Sequence, residues 1–135
     1  MLVDGDGVIY ESAIIDEYLE EKFPQARLMP TDLLLRAKAR IWVDYMSTRL
    51  HAAASDITHE REPDKARERM KQHLTTLDKE MAGRKYLVGE YSLADVSYIP
   101  FYTRRERYKV SLDEYPNAKR WAEKLIARPQ VVPTL

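Results

Sequence analysis

The chain has no cysteine among its 135 residues. Disulfide bridges, cysteine metal ligands and thiol catalysis by the chain's own side chains are therefore excluded. No apolar run approaches the roughly 20 residues that a membrane-spanning helix needs. Acidic residues stand near the N-terminus, where a signal peptide would carry basic ones. We expect a cytoplasmic protein with no membrane partner.

The chain also lacks a net charge, because 22 basic side chains balance 22 acidic ones. It has no overall field that would recruit nucleic acid, and we expect no nucleic-acid partner. The charges are nevertheless segregated. Residues 1–30 hold seven acidic and two basic side chains, whereas residues 103–135 hold four acidic and eight basic ones. We interpret these segments as two solvated faces of opposite sign, with electrostatic steering as the alternative.

Local sequence signals predict one hairpin followed by about five helices. The run Asp4-Gly5-Asp6-Gly7 lies between β-prone residues, which is typical of a tight hairpin turn. Apolar residues then recur at three- and four-residue spacing in segments delimited by capping residues or prolines. The predicted helices begin at Ser12, at Thr31 or Asp32, at Pro63, at Ser92 and at Pro116, and the second one ends near Ala54 before a polar loop at Ser55–Glu62.

Capping chemistry supports two of these helix starts. The hydroxyl of Ser12 is placed to cap the first helix. Ser92 and Asp95 have the spacing of a reciprocal capping box, to which we assign a structural role only. Pro100 falls inside the fourth helix and is expected to kink it, because proline removes one donor and crowds the preceding turn.

Two motifs resemble the cytosolic glutathione transferases. The stretch VDGDGVIYESAIIDEYLEEKFP at residues 3–24 is similar to the last two strands and final helix of that family's thioredoxin-like domain. The stretch GEYSLADV at residues 89–96, with Pro100, is similar to the capping-box helix of its all-helical domain. The resemblance implies a mostly α fold, namely the family's C-terminal helical bundle preceded by a ββα remnant of a thioredoxin-like domain. The implied units are a truncated remnant at 1–24, a linker at 25–30 and a helical domain at 31–135.

The resemblance also implies a glutathione site. In the family a Glu/Gln-Ser pair after the last strand binds the γ-glutamyl end of glutathione, and here that pair is Glu11 and Ser12. A helix N-terminus suits a carboxylate, and Glu11 can receive the ammonium group. Glutathione would be the substrate once the site is completed. A plain N-cap is the alternative reading of Ser12.

The family's thiol-activating unit is not found in this sequence. In the family a Tyr, Ser or Cys activates the thiol, and a cis-proline precedes the last two strands, but no position here matches either. We expect no catalytic residue and little or no conjugating activity from these 135 residues alone. The family's cleft for a small electrophile maps to Tyr45, Met46, Arg49, Tyr98 and Tyr102, for which plain core packing is the alternative.

Three weaker signals concern metals and partners. His51, His59 and His73 lack metal-ligand spacing, so no metal is expected. The basic cluster Arg104–Lys109 is interpreted as complementing a helix C-terminus rather than binding RNA. The unpaired hairpin edge and the helical faces that resemble the family's dimer contacts predict a homodimer or strand-swapped oligomer.

A non-catalytic role is the alternative to the transferase. Residues 2–30 are also similar to stringent starvation protein A, an RNA polymerase-associated regulator with this fold. That resemblance implies a protein partner for the acidic N-terminal face and the exposed apolar surface.

Overall fold

The structure is a computed structural model that describes residues 1–134, so the last residue of the predicted 31–135 domain lies outside the described residues. The fold is mostly helical with one small sheet, as predicted. In the described residues, no helix is both long and apolar enough to cross a bilayer. The elements are β1 (Leu2–Asp4), β2 (Gly7–Ile9), α1 (Ser12–Lys22), α2 (Leu33–Tyr45), α3 (His51–Thr58), α4 (Pro63–Glu80), α5 (Leu93–Val96), α6 (Ile99–Thr103) and α7 (Pro116–Ile126).

The N-terminal unit is a two-stranded hairpin followed by one helix. Strands β1 and β2 are antiparallel, and Asp4 lies opposite Gly7 across a two-residue turn in which Gly5 has φ +58°. The Asp4 carboxylate accepts hydrogen bonds from Tyr18 and Lys22 of α1, which fastens the helix to the hairpin. Helix α1 buries none of its residues fully, so polar contacts hold this unit rather than a core of its own.

The prediction that Ser12 caps α1 is wrong. Glu11 occupies the N-cap position, makes no side-chain capping bond, and has φ 69° and ψ 113°. Ser12 is the first helical residue instead. The left-handed φ of Glu11 turns the chain from β2 into α1 one residue earlier than the sequence pattern suggests.

The second helix is longer than predicted and contains a π-helical turn. Helix α2 passes through π-helical residues Met46–Leu50 directly into α3, so the helical path runs without a break to Thr58. The prediction of a loop at Ser55–Glu62 is therefore wrong for its first four residues, 55–58. Ile57 is buried and α3 packs against α4, so tertiary contact keeps this polar segment helical. Of the two predicted starts of this helix, Thr31 and Asp32, it is Asp32 that caps α2. Its carboxylate accepts a hydrogen bond from the Leu35 amide at 2.8 Å.

The core lies between α2, α3, α4 and the C-terminal helices. Its largest fully buried side chains include Trp121, Tyr98, Tyr102, Phe101 and Leu74. The predicted kinked helix at Pro100 is divided instead into α5 and α6, because the chain leaves the helix at Ser97 and Pro100 lies in the first turn of α6. Tyr98 lies between the two short helices and Phe101 and Tyr102 lie on α6, and all three side chains are buried.

The linker is tied to both parts of the chain. The Glu20 carboxylate accepts from the Leu28 and Met29 amides at 2.9 and 3.0 Å. The Leu93 amide at the start of α5 donates to the Leu28 carbonyl at 2.8 Å. These bonds fix how α1 enters the helical bundle, and thereby where the β2–α1 junction lies.

Candidate functional site

The β2–α1 junction places Glu11 and Ser12 at the N-terminus of an 11-residue helix. The Glu11 carbonyl accepts from the Ile14 and Ile15 amides at 3.1 and 2.9 Å. The amides of Ser12 and Ala13 make no hydrogen bond within residues 1–134. Ser12 is exposed and Ala13 is half-buried, so these two donors lie near the surface at the positive end of the helix dipole.

The groups at this junction favour ligands of opposite charge. Two free amides beside a serine hydroxyl suit a carboxylate, because a helix N-terminus presents donors and a partial positive charge. The Glu11 carboxylate next to them suits a cation. The left-handed φ of Glu11 is uncommon for a residue with a side chain, and such conformations concentrate at ligand-binding sites. Together these groups can hold a zwitterion such as the α-amino acid end of a peptide.

A second polar cluster surrounds Tyr45 at the end of α2. The Tyr45 hydroxyl lies 3.1 Å from His73 Nδ1 on α4, and the two rings meet edge to face. The Arg49 guanidinium carbon lies 5.4 Å from the Tyr45 ring centroid, and the Trp42 ring lies 5.4 Å away on another side. The π-helical turn shifts Met46–Leu50 relative to a regular helix, which sets the position from which Arg49 reaches Tyr45.

His73 is part of this cluster although the sequence analysis gave it no role. Burial lowers its pKa below the ordinary histidine value, and the positive charges of Arg49 and Arg69 lower it further. A neutral imidazole that carries its proton on Nε2 can accept a hydrogen bond from the Tyr45 hydroxyl at Nδ1. The only sequence signal was that a histidine occupies a position of the apolar stripe of α4.

The remaining predicted cleft residues lie inside the core. Met46 is 6% exposed, and Tyr98 and Tyr102 have no exposed surface. The Tyr98 hydroxyl donates to the Trp42 carbonyl at 3.1 Å, whereas the Tyr102 hydroxyl has no partner within residues 1–134. Burial raises the pKa of both phenols well above the ordinary tyrosine value. These three side chains are therefore part of the hydrophobic core.

The Ser92–Asp95 capping box is present as predicted. Asp95 Oδ2 accepts from the Ser92 amide at 3.1 Å and from the Ser92 hydroxyl at 3.3 Å. Both residues are buried. Burial raises the pKa of Asp95 above its ordinary value, and four hydrogen bonds to the carboxylate oppose that effect.

The predicted groups do not form one continuous site within residues 1–134. No hydrogen bond, ion pair or ring contact joins Glu11 or Ser12 to the Tyr45 cluster in this part of the chain. The described residues contain no group of three or more histidine and carboxylate side chains placed to hold a metal. A cavity of about 390 Å³ lies elsewhere, between α4 and residues 108–115, and none of the predicted site residues lines it.

Comparison with known proteins identifies the family to which this chain belongs. The family profile "Glutathione S-transferase, C-terminal domain" matches residues 39–129, so the chain belongs to the glutathione S-transferase family. A probable glutathione S-transferase of Nicotiana tabacum is 29% identical over 144 residues, covering 100% of this chain and 65% of the relative. Maleylacetoacetate isomerase of Mus musculus is 32% identical over 133 residues, covering 93% and 61%.

A solved structure gives the same result. The chain superposes on a glutathione transferase of Burkholderia graminis with a TM-score of 0.79 and 26% identity, covering 96% of this chain and 62% of that one. That transferase was solved with two glutathione molecules bound per subunit. The chain spans about two thirds of the length of the curated relatives that it matches.

Proposed function

We propose that this chain supplies the part of a glutathione transferase that holds the γ-glutamyl end of glutathione. The observation that carries the proposal is the β2–α1 junction, where Ser12 and Ala13 leave two amides without a partner and Glu11 adopts a left-handed φ. The solved relative from Burkholderia graminis binds glutathione, which supports the choice of ligand.

Each end of the amino acid group has a partner in this proposal. The γ-glutamyl carboxylate binds the Ser12 amide and hydroxyl, where the dipole of α1 favours a negative charge. The α-ammonium binds the Glu11 carboxylate, and this charged pair also selects against peptides without a free amine.

The Tyr45 cluster forms the electrophile side. Tyr45 and Arg49 present a phenol and a guanidinium, which suit the polar group of a small electrophile. His73 holds the Tyr45 hydroxyl at 3.1 Å. Met46, Tyr98 and Tyr102 are buried, so in this proposal they contribute packing rather than contact with the electrophile.

We further propose that residues 1–135 alone do not conjugate glutathione. Conjugation needs the thiolate, and a hydroxyl or thiol donor must stabilise it next to the sulfur. In this proposal the Ser12 hydroxyl is occupied by the γ-glutamyl carboxylate, and the Tyr10 hydroxyl, the nearest other one in the sequence, does not take the activating role. In this proposal residues 1–24 belong to a thioredoxin-like unit, 25–30 form the linker, and 31–135 form the helical domain, with the activating group outside these segments.

The test is calorimetric titration of the chain with glutathione. We expect weak binding, with a dissociation constant on the order of 1 mM, because the γ-glutamyl end supplies only part of the family's contacts. Glu11→Gln should weaken binding at least about tenfold, since a charged pair is lost. Glu21→Gln is the matched control, because Glu21 is an exposed glutamate on the same helix.

A second experiment measures the conjugation of glutathione to a generic aryl-halide electrophile. We expect no turnover above the uncatalysed rate from the purified 135-residue chain. Turnover that Glu11→Gln reduces would contradict the inactivity part of the proposal while supporting the glutathione site. Equal binding by Glu11→Gln and Glu21→Gln would contradict the site itself.

A non-catalytic interaction module is the second candidate. Nine of the ten large apolar side chains that are most exposed in the described residues lie within residues 1–41, among them Tyr10, Ile14, Leu33, Leu34 and Ile41. An apolar surface of this kind marks a contact with another protein. Retention of RNA polymerase by the immobilised chain, without retention on glutathione resin, would favour this role over the transferase.

The same surface carries the proposal of self-association. The outer edges of the two-stranded hairpin have no strand partner in the described residues, and α1 and α2 expose the apolar side chains Ile14, Leu33, Leu34 and Ile41. We expect a homodimer or strand-swapped oligomer by light scattering, and an Ile41→Glu variant that is monomeric. A monomer at high concentration would contradict this proposal.

A further inference from the structure

We propose that a cavity between the α4–α5 connection and α7 binds a polyphosphate group. The cavity has a volume of about 350 Å³ and is lined by Gly83, Arg84, Lys85, Arg120, Trp121 and Lys124. We call it the basic cavity. Glu11, Ser12 and the Tyr45 cluster do not line it, so it is independent of the glutathione site.

The positive charges of the basic cavity come from two separate elements. Arg84 and Lys85 lie on the connection after α4, and Arg120 and Lys124 lie one turn apart on α7. Arg84 pairs with Glu80 at 3.2 Å. Within residues 1–134, Lys85, Arg120 and Lys124 form no ion pair with a carboxylate. Three uncompensated cations around one concavity create a field that favours a multivalent anion.

Internal contacts hold these cations in place before any ligand arrives. Arg120 donates to the Met81 carbonyl at 2.9 Å and to Asn117 Oδ1 at 3.0 Å. The Lys124 ammonium lies 4.5 Å from the Tyr86 ring centroid, and the Lys85 ammonium lies 5.7 Å from it. Cation–π contacts of this kind restrain the long lysine side chains. Preorganised cations lose less entropy when an anion binds.

Gly83 lines the basic cavity and has no side chain. Gly83 has φ +69°, a conformation that favours glycine, and a Cβ built there would meet nothing within 4 Å. The amides of Gly83 and Lys85 make no hydrogen bond within residues 1–134. Because both residues line the basic cavity, we expect these amides to be available to the same anion.

The shape favours a chain of phosphates over a single anion. A groove of about 460 Å³ adjoins the basic cavity, shares Arg84 and Lys85 with it, and adds Lys38. An extended polyanion can contact both volumes, whereas one phosphate cannot. Cations lie next to the two neighbouring tyrosine rings, since the Lys124 ammonium is 4.5 Å from the Tyr86 centroid and the Arg128 guanidinium is 3.5 Å from the Tyr91 centroid. Trp121 lines the basic cavity but is buried. We therefore expect recognition to depend on the phosphates rather than on stacking of a nucleobase.

The experiment is calorimetric titration of the full chain with inorganic tripolyphosphate, ATP and inorganic phosphate at constant ionic strength. We expect one binding site per chain for tripolyphosphate, similar affinity for ATP, and at least about tenfold weaker binding of phosphate. ATP binding at least about tenfold more tightly than tripolyphosphate would show that the nucleoside is also recognised, which would contradict recognition by the phosphates alone.

A charge-matched pair of variants locates the site. Lys85→Gln/Lys124→Gln should weaken tripolyphosphate binding at least about tenfold. Lys65→Gln/Lys71→Gln removes the same charge from the N-terminal half of α4 and should change binding less than about twofold. Equal losses in both variants, or no binding of tripolyphosphate at 1 mM (roughly the weak end of specific affinities), would overturn the proposal. Unchanged thermal midpoints of both variants without ligand would confirm that folding is intact.

Discussion

The indole N–H of Trp121 on α7 donates a hydrogen bond to Asp95 Oδ1 on α5 at 2.9 Å, and both side chains are buried. The same oxygen accepts from the Leu87 amide at 3.2 Å, while Oδ2 accepts twice from Ser92. One carboxylate thus joins α7, the start of α5 and the connection before it. All four hydrogen bonds to the Asp95 carboxylate come from buried donors, so this network organises the C-terminal half of the core.

Replacing Asp95 should destabilise the protein strongly. Asp95→Ala leaves the Leu87 amide, the Trp121 indole and both Ser92 donors without their acceptor. Unsatisfied buried donors cost about 1–3 kcal/mol each, and partial relaxation brings the expected total to about 3–5 kcal/mol. Asp95→Asn should also destabilise the protein, because the side-chain amide nitrogen of asparagine would face one of these donors and could not accept its hydrogen bond. Chemical denaturation measures both free energies of unfolding.

The control for Asp95 is Asp64→Ala, since Asp64 is almost fully exposed and its pair with Arg67 is on the surface. We expect a change of at most about 1 kcal/mol there. An unfolding free energy for Asp95→Asn equal to that of the unaltered chain would refute the role of the carboxylate.

Two buried tyrosines should respond differently to loss of their hydroxyl groups. Tyr98→Phe removes the bond to the Trp42 carbonyl and should cost about 1 kcal/mol. Tyr102→Phe should be neutral or stabilising, because that hydroxyl is buried without a partner in the described residues. Thermal or denaturant unfolding of the two single variants provides the comparison. A larger loss for Tyr102→Phe than for Tyr98→Phe would contradict the hydrogen-bond assignment.

His73 should make stability depend on pH. Its folded-state pKa is lowered by burial and by Arg49 and Arg69, whereas in the unfolded chain it is near 6.5. Between these two pKa values the unfolded state binds more protons than the folded state, so the free energy of unfolding rises with pH. This contribution to stability is lost as the pH falls from the unfolded-state pKa toward the folded-state pKa. His73→Gln should flatten this part of the curve.

The matched control for pH is His59→Gln, because His59 is exposed at the end of α3. That variant keeps His73 and its neighbours, so it should retain the part of the slope that depends on His73. NMR titration of the His73 ring should give a midpoint below the ordinary histidine value of 6.5, and a midpoint above that value would contradict the assignment.

Helix α1 should open independently of the bundle when its bridge to α2 is removed. Arg40 donates two bonds to the Glu17 carboxylate at 2.8 Å each, and Arg40 lowers the pKa of Glu17. Because α1 buries no residue fully, Arg40→Ala should speed amide exchange in α1 while global stability falls by less than about 1 kcal/mol. Arg67→Ala, at the far end of α4, should leave α1 exchange unchanged. Equal acceleration in both variants would count against the bridge.

Local signals were sufficient to predict much of the fold. The hairpin follows from Asp-Gly chemistry, the start of α4 follows from Pro63, and the Ser92–Asp95 box is present as its spacing predicted. The π-helical turn at Met46–Leu50 was not predictable, since it has no distinct residue pattern and arises where α2 meets its neighbours. Likewise, the helix at residues 55–58 depends on packing against α4, and a polar segment gives no local indication of that contact.

The candidate site was predictable only in part. Glu11 and Ser12 followed from a family resemblance, whereas the left-handed φ of Glu11 required coordinates. The Tyr45–His73 contact joins residues that are 28 positions apart, so no spacing rule reveals it. Tyr98 and Tyr102 occupy helical positions that suit a cleft or a core equally well, and only the packing around Trp121 distinguishes the two.

The most direct measurement of the central claim is a titration of the ¹⁵N-labelled chain with glutathione, followed by amide chemical shifts. The account predicts that the largest shifts occur at the Ser12 and Ala13 amides, that they saturate, and that γ-glutamylcysteine reproduces them while cysteinylglycine does not. Saturable shifts centred elsewhere, or none at Ser12 and Ala13, would contradict the assignment of the β2–α1 junction as the glutathione site.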